Sequence, residues 1–349
     1  MKKKPWVRIA GRFISEDKPT FIIAEIGSNH DGKLSQAKKL IRAAAQAGAD
    51  AVKFQSFRAE SLVNSQRLNA QKKWEPHPAF PLLKKLEVSD TWHWELKKYC
   101  DEVGIFFMST PFDLERADLL HRVGVPAYKI ASGDLTYTQL LRHAARFQKP
   151  IILSTGIATL KEVKEAVRVI EKEGNKKIIL LHCVALYPPK FEEVNVRAMM
   201  TLKKAFPRYL VGCSDHTPGW TVPLAAVALG GRVIEKHVTL DRRLKGPDHP
   251  YAMTIAEFAT MVQEIRHLEK ALGSGVKKPA PGEIPERIGA RRSLYAAKEI
   301  VKGERLDEKS IRVVRHAYGL KPKDLDWVVK KRAKQRIAAG SLILKRMLV

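Results

Sequence analysis

Charged and hydroxyl-bearing side chains recur along this chain at the ends of short apolar segments. The first segment ends at Glu25, the second at Lys53 and Gln55, and two later ones at Lys129 and His237. The other polar residues in such positions are Ser109, Thr110, Ser132, Asp134, Ser154, Thr155, Ser214, Asp215, His216, Glu235 and Asp248. Lysines supply point charge and hydroxyls supply directed hydrogen bonds, so the combination suits a phosphate. Thr110 alone would be interpreted as a helix cap, and only the convergence favours a site.

Two histidines, His216 and His237, close consecutive apolar segments. Neighbouring strand ends lie about 5 Å apart, so the imidazoles could share one divalent ion that keeps positions open for water or substrate. Hydrogen-bonded rim histidines would have the same spacing, and the spacing alone does not decide between the two. Asp215 fits a place behind the metal ligands and a helix cap equally well. His182 lies inside an apolar run, where a structural role is expected.

The apolar segments occur eight times, each followed by a stretch with apolar residues at helical spacing, such as Leu160–Glu173 and Ile255–Leu272. The predicted strands are Phe21–Glu25, Ala51–Gln55, Ile105–Ser109, Ala127–Ala131, Ile151–Ser154, Ile178–Cys183, Leu210–Ser214 and Val233–His237. Eight consecutive units predict an α/β fold, a (β/α)8 TIM barrel, in preference to a doubly wound open sheet. In such a barrel the polar strand ends all point into one mouth.

Composition shifts predict the domain boundaries. Segment Gln66–Lys85 is a long excursion after the second strand and is expected to serve the active-site face. A stretch rich in Gly, Pro and Lys follows Leu272, as in a linker. We therefore predict a barrel domain at 1–273, a linker at 274–286 and a small C-terminal domain at 287–349, with short strands and a helical stretch at 306–311 (LDEKSI).

Charge and cysteine content restrict the function classes. The 349 residues carry a net charge of +26. These charges are spread over helix faces without a nucleic-acid motif, so we expect no nucleic-acid partner and an anionic small substrate. Membrane-length apolar runs are absent, and Arg8 and Arg12 interrupt any signal-peptide core, so we expect no membrane partner and a cytoplasmic enzyme. Three cysteines argue against a disulfide framework, and Cys183 and Cys213 are expected in the core.

Eight motifs carry a resemblance to a known family. In chain order they are AEIGSNHDG, AVKFQSF, FMSTPFD, AYKIASGDLT, PIILSTG, LHCVALYP, GCSDHT and EKHVTLD. Together they resemble the sialic acid synthase family, which makes nonulosonic acids, and RRSLYAAKEIVKGERL resembles its antifreeze-like (SAF) domain. The resemblance implies an N-acetylneuraminate synthase-like enzyme. Such an enzyme condenses phosphoenolpyruvate with the open-chain aldehyde of an N-acyl mannosamine-type sugar, giving a nine-carbon 2-keto acid and phosphate.

The resemblance also implies roles for individual residues. Glu25, His216 and His237 would be catalytic, and the two histidines would bind a divalent metal, commonly manganese, with magnesium or cobalt as alternatives. Phosphoenolpyruvate would be held by Lys53, Thr110, Lys129, Ser132, Ser154 and Ser214. The sugar would be held by Gln55, Asp134, Tyr187, Asp248 and Arg315. The family forms a domain-swapped homodimer, in which Arg315 would reach the N-acyl group of the sugar in the partner's barrel.

Two positions depart from the family pattern. The family usually has a polar residue in the loop where this chain has Val184-Ala185-Leu186, so one contact to phosphoenolpyruvate is expected to be missing. Asp134 stands where glutamate is common, so contacts to the sugar are expected to differ.

The sequence leaves three alternatives open. The acceptor could be the sugar that gives legionaminate or pseudaminate instead of N-acetylneuraminate. The enzyme could be another phosphoenolpyruvate-dependent synthase, of the 3-deoxy-octulosonate or heptulosonate type, but those enzymes lack the SAF-like domain. A basic barrel that binds glycans or nucleic acid without catalysis is the non-enzyme alternative, and the presence of Glu25, Lys53 and Lys129 together with both histidines argues against it.

Overall fold

The predicted barrel is confirmed by a ring of parallel strands in the first of two compact units. The computed structural model describes residues 5–349, and the division between the units falls after Gly273. The strands of the first unit are β1 (Trp6–Ile9), β2 (Arg12–Ser15), β3 (Phe21–Gly27), β4 (Ala51–Ser56), β5 (Gln66–Leu68), β6 (Trp74–Pro76), β7 (Phe106–Pro111), β8 (Tyr128–Ile130), β9 (Ile151–Ser154), β10 (Ile178–Cys183), β11 (Leu210–Asp215), β12 (Val233–Thr239) and β13 (Met253–Thr254). The ring runs in the order β7-β4-β3-β12-β11-β10-β9-β8, and β7 and β8 lie side by side where it nearly closes. All eight predicted strands are present, with ends shifted by two residues or fewer.

Helices follow the strands of the ring, and the longer ones cover its outside. They are α1 (Leu34–Gln46), α2 (Ala59–Leu62), α3 (Phe80–Leu86), α4 (Asp90–Val103), α5 (Leu114–Val123), α6 (Thr138–Arg146), α7 (Leu160–Lys172), α8 (Phe191–Val194), α9 (Ala198–Ala205), α10 (Thr221–Ala228) and α11 (Ile255–Leu272). Capping residues explain several ends: Thr159 and Glu162 form a capping box at α7, and Gly104 and Gly124 adopt left-handed conformations after α4 and α5. Within residues 5–349 no helix combines the length and apolarity needed to span a membrane.

The two-residue period of the strands decides which side chains face the barrel interior, and their position along the strand decides how near they lie to its C-terminal end. On β12, Val233, Glu235 and His237 share the inward face, whereas Ile234 and Val238 pack outward against the helices. The lower interior is filled by apolar side chains, among them Phe21, Ile23, Ala51, Met108, Ala127, Ile152, Ile179, Leu181, Leu210 and Val233. Val7, Ile9 and Ile14 of the β1–β2 hairpin join this cluster, so the N-terminal end is closed and the polar inward residues gather at the C-terminal end.

The excursion after β4 builds structure of its own. It contains α2, the antiparallel β5–β6 hairpin and α3 before α4 begins at Asp90. Leu82 and Leu83 of α3 line the cavity at the C-terminal ends of the strands. The expected position of this segment on the active-site face is therefore found in the structure.

The second unit is small and has its own core. Its elements are α12 (Glu286–Gly289), β14 (Arg292–Ala296), β15 (Ile311–Arg315) and α13 (Leu325–Val328). Its buried cluster includes Leu294, Ile300, Leu306, Val328 and Ile343. The helical stretch predicted at 306–311 is wrong in extent, because only a 3-10 turn at Glu308–Ser310 forms and Ile311 already begins β15.

Candidate active site

A cavity of about 800 Å³ opens at the C-terminal ends of the barrel strands. Thirteen of the fourteen predicted site residues line it: Glu25, Lys53, Gln55, Thr110, Lys129, Ser132, Asp134, Ser154, Tyr187, Ser214, His216, His237 and Asp248. The fourteenth, Arg315, lies exposed at the end of β15 in the second unit. Residues far apart in sequence thus meet because each follows the inward face of its own strand.

Two buried lysines and a set of hydroxyls form the floor of the cavity. Lys53 on β4 donates to Thr110 Oγ1 on β7 at 3.1 Å, and Lys129 on β8 donates to Ser154 Oγ on β9 at 2.7 Å. Ser132 accepts a hydrogen bond from the Gly156 backbone N–H at 3.0 Å, which fixes its hydroxyl beside these groups. The arrangement presents two cations and several donors to one small volume, as an anionic substrate requires.

Two carboxylates balance the lysines, and their surroundings differ. Glu235 Oε1 lies 3.7 Å from the ammonium groups of both Lys53 and Lys129 and accepts from Ser214 Oγ at 2.9 Å. Glu25 Oε2 lies 2.6 Å from Lys53, and Glu25 Oε1 accepts from Gln55 Nε2 at 3.0 Å. Burial raises the pKa of Glu25 above its ordinary value in spite of Lys53, whereas the pull of Lys129 and Lys53 overcomes burial and lowers the pKa of Glu235.

The two predicted metal ligands face each other across neighbouring strands. The rings of His216 and His237 have centroids 5.4 Å apart. His216 Nδ1–H donates to the carbonyl of Val184 at 2.9 Å, which leaves the Nε2 lone pair free. His237 Nδ1 is buried without a hydrogen-bond partner and lies 3.6 Å from Asp248 Oδ2. Burial lowers the pKa of both histidines, so both are neutral at pH 7, as metal ligands must be.

This pair fits a divalent ion with open positions. Two neutral imidazoles can hold a divalent ion, and His237 Nδ1 has no hydrogen-bond partner in the protein that would compete with one. Among residues 5–349 no three His, Cys, Asp or Glu side chains are grouped tightly enough to enclose an ion. The remaining positions would therefore belong to water or substrate, as in a catalytic site.

A bulge in β3 shapes the wall beside the histidines. The register between β3 and β4 shifts between Glu25 and Gly27, and Gly27 adopts φ +53°. The backbone N–H of Ser28 then points to Asp248 Oδ2 at 3.4 Å. The bulge thus brings the loop after β12, which carries Asp248, next to Glu25.

The remaining predicted residues occupy the rim. The ring of Tyr187 lies tilted against that of His216, with ring centroids 4.3 Å apart and an interplanar angle of 45°. Burial raises the pKa of Asp134 to about 6, against the pull of Lys129. In the loop that departs from the family pattern, Ala185 lines the cavity and offers a methyl group in place of a hydrogen-bonding side chain.

Three further residues have structural contacts. His182 bonds the carbonyl of Val194 at 2.7 Å, in agreement with a structural role. Asp215 does not cap α10, whose N-cap is Trp220; it pairs with the buried Lys236 at 2.5 Å and accepts from Thr217. Cys213 is buried in the core as predicted, and Cys183 is buried but also lines the cavity.

Sequence reasoning placed Glu235 among the polar strand-end residues of the mouth without a specific role, and it did not single out Ser28, Tyr251 or the apolar lining of the cavity. Glu235 had a recognisable signal, because it stands two residues before His237 on the same face of β12. Ser28, Tyr251 and most of the apolar lining lie in loops or in the excursion after β4, where no sequence period predicts which way a side chain faces.

Comparison with known proteins identifies the family. The chain matches the model of the NeuB family over residues 40–277 and that of the SAF domain over residues 291–349. It is 41% identical to an N,N'-diacetyllegionaminic acid synthase of Legionella pneumophila, over 93% of each chain. It is 44% identical to an N,N'-diacetyllegionaminic acid synthase of Campylobacter jejuni, over 87% of this chain and 92% of that one.

A solved structure agrees with these matches. The N-acetylneuraminic acid synthetase of Leptospira borgpetersenii, solved with citrate, is 36% identical and superposes with a TM-score of 0.74, covering 81% of this chain and 95% of that one. The resemblance identified from the motifs, the barrel with its C-terminal SAF domain, and the sugar-acid synthase activity expected from them are thereby confirmed. The chain belongs to the NeuB family and ends in a SAF domain.

Proposed function

We propose that the protein condenses phosphoenolpyruvate with the open-chain aldehyde of an N-acyl mannosamine-type sugar, giving a nine-carbon 2-keto sugar acid and phosphate. One observation carries this proposal: two buried lysines, ringed by hydroxyls, share a single cavity with a pair of neutral histidines. The first group suits a phosphorylated carboxylate, and the second suits the polarisation of an aldehyde.

The lysines and hydroxyls hold phosphoenolpyruvate in this proposal. Lys53 and Lys129 offset its negative charge, and Thr110, Ser132, Ser154 and Ser214 orient it through hydrogen bonds. Because Lys53 and Lys129 are already hydrogen-bonded and buried, little reorganisation is needed when the anion arrives.

His216 and His237 would hold a divalent ion, manganese by preference. When bound there, such an ion supplies Lewis-acid polarisation of the aldehyde oxygen. His237 keeps its orientation through the strand register, in which it pairs with Glu25 of β3. His216 keeps its orientation through the bond to the Val184 carbonyl.

The bond changes balance as follows. The enol carbon C3 of phosphoenolpyruvate attacks the aldehyde carbon, and the aldehyde oxygen gains a proton to become a hydroxyl. Water adds to C2 of phosphoenolpyruvate, and the C2–O bond breaks to release phosphate and leave the 2-keto group. Glu25, held by Gln55 and Lys53, is positioned to transfer one of these protons.

The sugar lies between the rim residues in this proposal. Gln55, Asp134, Tyr187 and Asp248 contact it from the barrel, and Arg315 of a partner copy contacts its N-acyl group. This assignment requires a domain-swapped homodimer, with the barrel at 1–273, a linker at 274–286 and the swapped domain at 287–349. The family membership and the Arg315 position in the SAF domain support it.

The test is release of phosphate from phosphoenolpyruvate in the presence of manganese. N-acetylmannosamine and 2,4-diacetamido-2,4,6-trideoxymannose are offered as separate acceptors, since the relatives are named for neuraminic and legionaminic acids. Sugar-dependent release, together with a nine-carbon keto acid seen by mass spectrometry, is expected. Folded, metal-loaded protein that releases no phosphate with either sugar would contradict the proposal.

A further inference from the structure

A buried ion pair lies directly beside the two histidines in the chain, and the roles proposed above do not use it. Lys236 Nζ donates to Asp215 Oδ2 at 2.5 Å, and the two side chains are 1% and 2% exposed. Both point away from the barrel interior, because the preceding residues, Ser214 and Glu235, line the cavity. Removing two charges from water is costly and a buried ion pair rarely adds net stability, so stability alone does not account for this pair.

The ammonium group of Lys236 binds the residues on both sides of His216. It donates to Asp215, which precedes His216, and to the backbone carbonyl of Thr217, which follows it. Thr217 in turn donates to the Asp215 carboxylate, from its backbone N–H at 3.1 Å and from its hydroxyl at 2.9 Å. We call Lys236, Asp215 and Thr217 the clamp. Since Lys236 immediately precedes His237 in the chain, the clamp joins the backbone around one histidine to the backbone beside the other.

The clamp lies where the strand ladder ends. The last paired residues of β11 and β12 are Asp215 and Lys236. His237 still belongs to β12 and is paired with Glu25 of β3, whereas His216 lies beyond the end of β11. The position of the His216 backbone relative to His237 is therefore held by the clamp and not by the ladder.

We propose that the clamp sets the separation of His216 and His237 and thereby the affinity of the protein for its divalent ion. This inference rests on the proposed function, in which the two histidines hold that ion. Lys236 and Asp215 are positioning residues, because they act through the histidines and do not line the active-site cavity. Replacing residues that orient metal ligands typically lowers metal affinity or activity by about tenfold to 100-fold.

The experiment removes both charges at once, in the double variant Asp215→Asn/Lys236→Met. Lys236→Met alone would leave a buried carboxylate unpaired and would change the net charge near the ion, whereas the double variant keeps that net charge and is expected to fold. Binding of manganese is measured from the electron paramagnetic resonance signal of the free ion, and the visible absorption of bound cobalt reports the coordination geometry.

We expect the Kd for manganese to rise about tenfold to 100-fold in the double variant, and the cobalt spectrum to change. At saturating manganese, KM for phosphoenolpyruvate should remain that of the wild type, because Lys53 and Lys129 are unchanged. A wild-type Kd in the folded double variant would overturn the inference and leave the metal assignment intact. Equal Kd values in the wild type and His237→Ala would overturn the metal assignment and the inference with it.

Arg116→Met/Asp90→Asn is the matched control, since it removes a cation and its carboxylate away from the histidines. Arg116 on α5 is buried and pairs with Asp90 on α4 at 2.5 Å, and neither residue lines the cavity. The control should keep the wild-type Kd for manganese. A rise as large as that in the clamp variant would show a general loss of rigidity and would overturn the inference.

Thr217→Val takes the place of the double variant if the latter does not fold. It keeps the branched shape of the side chain and removes only the hydroxyl that donates to Asp215. The Kd for manganese is then expected to rise by a smaller factor than in the double variant, because both bonds of Lys236 remain. A wild-type Kd in Thr217→Val would in that case overturn the inference.

Discussion

Gly27 occupies a position where the cavity leaves no room for a side chain. A Cβ atom built there would lie 2.9 Å from Asp248 Oδ2, 3.0 Å from Glu25 Oε1 and 3.3 Å from Gln55 Nε2. Ordinary contacts of a Cβ atom begin near 3.4 Å, so Gly27→Ala must push both carboxylates by several tenths of an ångström. The left-handed backbone of Gly27, φ +53°, adds a further cost for any residue with a Cβ.

The backbone strain and the crowding caused by Gly27→Ala differ in size, and they are measured differently, by stability and by activity. The left-handed conformation costs alanine about 1 kcal/mol, and overpacking adds about 1–3 kcal/mol. A displacement of 1 Å in a catalytic group lowers rates by about 100-fold, so several tenths of an ångström at Glu25 and Asp248 should lower kcat/KM by about tenfold. The assay is phosphate release from phosphoenolpyruvate with a saturating acceptor sugar, alongside chemical denaturation.

Gly124→Ala provides the matched control. Gly124 ends α5 with φ +85°, and a Cβ atom there meets nothing within 4 Å. Both variants should therefore lose about 1 kcal/mol of the free energy of unfolding from the backbone, but only Gly27→Ala should lose activity. If Gly27→Ala and Gly124→Ala have the same kcat/KM, the reasoning about crowding at the carboxylates is refuted.

Three further predictions concern the site. His237→Ala should abolish turnover with little change in the melting temperature, because the imidazole that is removed lines the cavity. A wild-type rate with manganese supplied would contradict the metal assignment. Arg315→Ala should raise KM for the sugar and leave KM for phosphoenolpyruvate unchanged, and an equal rise in both would contradict the sugar contact. Burial already raises the pKa of Glu25, and an anion bound beside it raises that pKa further, so the binding of phosphoenolpyruvate should take up protons at pH 7.5. Calorimetry in two buffers of different ionisation enthalpy should show less proton uptake in Glu25→Gln than in the wild type. Equal uptake in the two proteins would exclude Glu25 as the group that takes up the proton.

The barrel could be predicted because its signal is local. Each strand is an apolar run, and the period of two decides which polar residues face inward, as on β12 with Glu235 and His237. Several strand ends were missed by one or two residues, because polar residues such as Asp215 continue the backbone ladder after the apolar run has ended. The β1–β2 hairpin was not predicted, since its four-residue strands read as a basic, irregular start and are stabilised by contact with the barrel interior.

The site could be predicted only in part, for a related reason. Lysines and histidines at strand ends are recognisable as candidate site residues by their type alone. Once the barrel was predicted, their convergence on its mouth could be predicted too. The leucines of α3 carry no such signal, because a Leu in a helix is expected to pack into a core. Their place in the cavity depends on the path of the segment between β4 and α4, which includes tertiary contacts such as that of Arg58 with Glu87 and follows no period of the sequence.

Glu25 and Glu235 show why residue type and strand position do not decide a chemical role. Both are buried glutamates on the inward faces of neighbouring strands. Glu235 lies within 3.7 Å of two ammonium groups and accepts from Ser214, whereas Glu25 has one ammonium group and the Gln55 amide. The second cation outweighs the cost of burial for Glu235 and is missing for Glu25, so the pKa values move in opposite directions. Glu235 therefore stays ionised and positions the two lysines, and Glu25 is the carboxylate able to carry a proton near neutral pH.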